Sequence, residues 1–205
     1  QRQMCIRDRR RYLINTVVAV AAMIILSKAA KRELIVKNNI CMAGAASALA
    51  VGSFIFDKYT MVLWSVLVMQ SYTDITEQHL YLMLPRLLAV MEVAYCLVHR
   101  TYLDIPLSVM IFPAVLIAAA MLIRAYTIGD MELLLIIMLH TYNQGISPNE
   151  YMVSYLSVTG MVFAVYMIVK NVIGMIKHRV PVWKGAFAPA MTVTYFVMFL
   201  WKYLS

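Results

Sequence analysis

Two stretches of this chain, Ile105 to Ile123 and Tyr151 to Val169, run for 19 residues each without a charged side chain. Most of the remaining sequence repeats the pattern between short basic connections. Such runs alternate too little for strands of a barrel. Helices satisfy their own backbone hydrogen bonds along a continuous apolar segment, so the runs predict spanning helices of about 20 residues. A hydrophobic share of 63% against 14% charged, with mean hydropathy +0.77, excludes an ordinary soluble domain. The expectation is an all-α, polytopic integral membrane bundle. Its 17 Met suit adaptable helix packing and its 13 Tyr suit interfacial anchoring.

Eight spans are predicted: Tyr12 to Ser27, Asn39 to Phe56, Tyr59 to Thr73, Leu80 to Val98, Ile105 to Ile123, Met131 to Tyr142, Tyr151 to Val169 and Ala186 to Trp201. The first residues stand apart. Gln3-Met4-Cys5-Ile6-Arg7-Asp8-Arg9 reads as a translated sequencing adapter, so residues 1–9 are set aside. Residues 10–58 then hold two N-terminal helices and 59–205 the main body.

A net charge of +8 is compatible with nucleic acid, but the basic residues lie in the short connections, as the positive-inside bias requires. No nucleic-acid partner is expected. Cys5, Cys41 and Cys96 have neither CxxC spacing nor histidines at ligand spacing, so no metal and no cofactor is expected. With eight spans, Lys28, Lys31, Arg32, Lys37, Arg124, Lys170, Lys177, Arg179 and Lys184 share one face, while Lys58, Arg100 and Lys202 share the other. The first face is therefore cytoplasmic; Arg10 and Arg11 do not fit this assignment.

Asp74, in Ser71-Tyr72-Thr73-Asp74-Ile75-Thr76-Glu77, ends the third span, and Asp130, in Tyr126-Thr127-Ile128-Gly129-Asp130-Met131-Glu132, begins the sixth. One outward and one returning helix separate them, so both acids fall on the cytoplasmic face. Two carboxyls in a low-dielectric site share a proton, one serving as acid while the other activates water. The same spacing also has a structural meaning. Ser71-x-x-Asp74, Asp74-x-x-Glu77 and Thr127-x-x-Asp130 all fit helix capping, and spacing alone leaves the two readings open.

Other polar residues are less suggestive. Arg86 and Glu92 lie within the fourth span, six residues apart and off a common helix face. Arg86 is expected to snorkel to the cytoplasmic surface and Glu92 to face the interior. His140 sits about 15 Å of helix from Asp130, too far to assist it. Trp64, Trp183 and Trp201 are assigned to interfacial belts.

In its motifs the chain resembles the type IV prepilin peptidases, a branch of the GxGD membrane aspartyl proteases with a six-helix core. Asp74 in SYTDITEQHLY matches the first family aspartate, and Asp130 in YTIGDMELLL the aspartate of GxGD. Phe187-Ala188-Pro189-Ala190-Met191 resembles the proline-containing start of the last helix. The resemblance runs from about Tyr59 to the end and implies Asp74 and Asp130 as catalytic residues, supported by Thr127, Gly129 and Pro189. It implies prepilin-like substrates with a basic leader, cleaved at the cytoplasmic face of the inner membrane, with Glu77 and Glu132 available to attract the leader or to serve as solvated caps. Lys28 to Asn38 occupies the place of the N-methyltransferase domain of larger members, so the peptidase-only form is expected. Thr127 stands in place of the first glycine of GxGD, Glu132 where many members have lysine, and Tyr81 where many have proline. A catalytically silent scaffold or a transporter-like bundle is the rival reading.

Overall fold

A computed structural model of the chain describes residues 39–77, 80, 83–100, 106–122, 127–178 and 185–204. The predicted span Tyr12 to Ser27, the adapter-like start, Tyr81 and Trp183 lie outside the described residues, as does the Glu77 side chain. The described residues form seven α-helices and no strand: α1 Asn39–Ile55, α2 Lys58–Glu77, α3 Met83–His99, α4 Ile111–Leu122, α5 Ile128–Asn143, α6 Pro148–His178 and α7 Ala188–Leu204. A 3-10 turn, Leu107–Met110, leads into α4. The all-α class is therefore correct, and each helix falls on an expected apolar run. Their ends differ. α2 continues past Thr73 to Glu77, and α6 continues from Val169 through His178, a stretch expected to be mostly a polar connection. Neither extension contains a Gly-Pro break of the kind that stops a helix. α6 has a segment, Pro148–Ile176, long and apolar enough to cross a membrane by itself, with mean hydropathy 1.9. Gly44–Ile55, Leu107–Ala119 and Ala188–Trp201 are shorter apolar stretches.

Local chemistry sets the helix boundaries. Past the end of α5 lies Gly145, whose φ of 71° suits a residue without Cβ, and Gly145 and Ile146 donate back to the carbonyls of Tyr142 and Thr141. Pro148 then opens α6, where its missing N–H leaves nothing unpaired. Pro189 occupies the first turn of α7 for the same reason.

α2 lies at the centre, packed on α1 and α7, while α5 packs against α3, α4 and α6. The core between them holds Met61, Leu63, Leu67, Leu134, Ile137, Met152 and Met191, all at most 1% exposed. Trp64 belongs to this core, which corrects its assignment to an interfacial belt. It is 4% exposed, its indole N–H donates to the Ala48 carbonyl at 2.9 Å, and its ring meets Phe56 at 5.1 Å. Trp201, by contrast, is exposed near the end of α7.

The α1–α2 contact depends on Gly52, because a Cβ there would overlap the Trp64 indole. The ring cannot swing aside without losing its hydrogen bond to Ala48. Gly52→Ala is expected to destabilise the fold by about 1–3 kcal/mol, read as a lower unfolding midpoint. Gly185→Ala should cost less, since the atom met there is the sulfur of the flexible Met167 side chain.

Candidate functional site: two aspartates at one end of the bundle

The last turn of α2, the first turn of α5 and the start of α7 converge at one end of the molecule. Ser71 and Thr192 join α2 to α7 through their hydroxyls at 2.6 Å, and Thr192 also donates to the Leu67 carbonyl at 3.1 Å. This clamp places Asp74, three residues after Ser71, under the first turn of α7. The Ala188 N–H donates to Asp74 Oδ2 at 2.9 Å, and the Phe187 backbone also bonds the carboxyl. Asp74 thus caps a helix 114 residues later in the chain. Ser71 does not cap at all; its hydroxyl donates back to the Leu67 carbonyl because α2 runs on beyond it.

Asp130 is 5% exposed and stands in the first turn of α5. Thr127 precedes the helix in extended conformation and forms a reciprocal capping box with it. The Thr127 hydroxyl donates to Asp130 Oδ2 at 2.7 Å, the Thr127 N–H donates to the same oxygen at 3.0 Å, and the Asp130 N–H donates to Thr127 Oγ1 at 3.3 Å. Gly129 is buried beside it. Thr127 therefore orients the acid.

Both acids stand outside the apolar stretches of their helices. Burial raises the Asp130 pKa above its ordinary 3.8, while the Thr127 hydrogen bonds pull it down. Burial also raises that of Asp74, the Ala188 N–H opposes this, and the charge of Asp130 raises it further. The charge of Asp130 therefore bears on Asp74. Lys170 of α6 acts on Asp74 in the opposite sense.

Glu132 is engaged. Arg86 of α3 forms a two-point ion pair with it, Nη2 to Oε1 at 2.9 Å and Nε to both oxygens at 3.2 Å. Arg86 does reach this end of the bundle, and its charge opposes that of Glu132. Pro189 follows the Ala188 whose N–H reaches Asp74, in the first turn of α7.

Thr127→Ala removes the hydroxyl that binds Asp130 and keeps the backbone. The expected result is a loss of about 1 kcal/mol of stability and a higher Asp130 pKa, since the bond that offsets burial is gone. Thermal unfolding and a carboxyl-carbon NMR titration would check the two parts.

Polar residues at the other end were only partly foreseen. Glu92 does face the interior, 1% exposed, and His140 lies far from Asp130, as expected. Their direct pairing, at 2.7 Å, was not read from the sequence, nor were Tyr59 and Asn143, which join them. The available signal was that each is a polar residue within an apolar run.

Comparison of the chain with protein-family models, with curated proteins and with solved structures finds no match.

Proposed function

We propose that the chain is a membrane-embedded aspartic endopeptidase that removes the basic leader of prepilin-like proteins at the cytoplasmic membrane face, with Asp74 and Asp130 as the catalytic pair. What supports this reading is a pair of carboxyls from separate helices at one end of the bundle, each with a raised pKa, that of Asp74 raised partly by the charge of Asp130. Of such a pair, the protonated member donates to the scissile carbonyl oxygen. The ionised member takes a proton from water as that water attacks the carbonyl carbon. Thr127 and Ala188 hold Oδ2 of each acid, which fixes the carboxyl planes for this exchange.

Placement in a lipid bilayer, inner membrane and multi-pass, belongs to the same proposal. What supports it is an inverted surface: Val98, Leu122, Met161 and Ile176 are 68–85% exposed, while Glu92, His140 and Thr194 are at most 1% exposed. The order of apolar runs in the sequence assigns the basic connections to the face of Asp74 and Asp130, which the positive-inside bias makes the cytoplasmic one.

A second reading has its own observation. Asp74 and Asp130 both cap helices, and a silent scaffold that binds pilin helices would keep both acids for that purpose. Co-expression with prepilins separates the two: the peptidase removes leaders, and Asp74→Asn or Asp130→Asn stops removal. Leaders left intact by the native chain with every prepilin tried, or cleavage that survives both substitutions, would overturn the peptidase reading.

A further inference from the structure

A buried polar cluster occupies the end of the bundle away from Asp74 and Asp130. His140 of α5 and Glu92 of α3, each 1% exposed, meet through Nδ1 and Oε1 at 2.7 Å. Asn143 donates to Glu92 Oε2 at 2.8 Å and to the Glu92 carbonyl at 2.9 Å, and the Tyr59 hydroxyl donates to Oε2 as well. Glu92 Oε2 accepts from both Asn143 and Tyr59, and an ionised Glu92 leaves the Nδ1–H of His140 as the donor to Oε1. The imidazole is stacked on Tyr59, centroids 4.6 Å apart, and Tyr59 on Tyr95 at 4.3 Å, so the ring is held.

The other ring nitrogen is unanswered. His140 Nε2 is buried and has no hydrogen-bond partner, an arrangement that needs an explanation in a folded protein. His140 also lines a cavity of about 60 Å³ with Thr60, Gln144, Tyr151, Tyr195 and Phe199. That is room for a water or two, between walls that supply several hydroxyls.

We propose that this is a second site, independent of the aspartates, in which His140 oriented by Glu92 binds water through Nε2 and takes up a proton there. The proton arrives on the cavity water as hydronium and passes to the Nε2 lone pair, leaving neutral water. The Nδ1–H stays on Glu92, and the Glu92–His140 pair goes from a net charge of −1 to zero. The titratable groups facing it are Glu92 on α3, Tyr59 on α2, Tyr151 on α6 and Tyr195 on α7, with Asp57 acting on Tyr195 from the start of α2. None of these is basic, so the proton on His140 is the cation available to Glu92. A metal is not favoured, because no group of three or more His, Cys, Asp or Glu assembles among the described residues.

The test uses the full chain, labelled with ¹⁵N-histidine, in lipid nanodiscs. Expected are a neutral His140 in the Nδ1–H form at alkaline pH, an Nε2 resonance that moves on acidification, and deuterium exchange at the ring Cε1–H that is slower than at exposed His99 but complete. Glu92→Gln should raise the Nε2–H tautomer about tenfold, because the bond made by Nδ1–H sets the tautomer and a neutral amide oxygen accepts it less strongly than a carboxylate. Should that variant not fold, Gln144→Leu at the exposed rim should slow the exchange several-fold with the tautomer unchanged. A native Nε2–H tautomer, an Nε2 resonance indifferent to pH, or a Cε1–H that never exchanges would overturn the proposal. So would micromolar Zn²⁺ displacing the Nε2 resonance, which would mark a metal site instead. Leader cleavage can fail without altering any of these readouts.

Discussion

Asp130→Asn is expected to lower the rate of leader cleavage by at least about a thousandfold, and Asp74→Asn by a similar factor, because water activation and proton donation both need an ionisable pair. The double variant should be little worse than either single one, since residues that act as a unit lose their function once. Cleavage assays on purified chain with a synthetic prepilin would measure all three. A merely capping pair would give a different result, because asparagine keeps an oxygen to accept from Thr127 or from Ala188. The same substitutions carry a stability signature. A carboxyl whose folded pKa is raised binds protons more tightly folded than unfolded. Its contribution to stability is complete below the unfolded value near 3.8 and is lost as pH rises through the folded value. Both asparagine variants should therefore melt at or above the wild type at neutral pH, and the difference should shrink as pH falls towards 4. Loss of activity with gain of stability is the pattern of a site held against its own folding preference.

Glu92→Ala is expected to have the largest effect on stability, about 3–5 kcal/mol. Three donors lose their acceptor at once: the His140 ring nitrogen, the Asn143 amide and the Tyr59 hydroxyl. His140 and Asn143 sit where α3 and α5 pack together, with Tyr59 reaching in from α2, so α3 and α5 should loosen first, with faster amide exchange there. Glu92→Gln keeps the volume and one acceptor and should cost about 1–2 kcal/mol. Arg86→Ala is the control, since that ion pair lies on the surface, and its melting temperature should not change measurably. Unfolding in graded denaturing detergent would rank the three.

Much of the architecture was legible in residue order. Apolar runs located the helices. Asp74 and Asp130 could be assigned to one side because that needs only the number of helices between them, two, and not how the helices are turned. The Thr127-x-x-Asp130 cap was equally local, a contact between neighbours in sequence.

Partners across the bundle were another matter. Asp74 with Ala188, Arg86 with Glu132 and Glu92 with His140 are 114, 46 and 48 residues apart. Each depends on the rotation of a helix about its axis, which a sequence discloses when one face is apolar and the other polar. Helices apolar around most of their circumference give no such mark, and for that reason Trp64 could be taken for an interfacial residue. Composition and order determined an all-helical chain and the common side of its two aspartates. Only tertiary packing decided which polar groups meet, because facing directions are fixed by how side chains fill the space between helices.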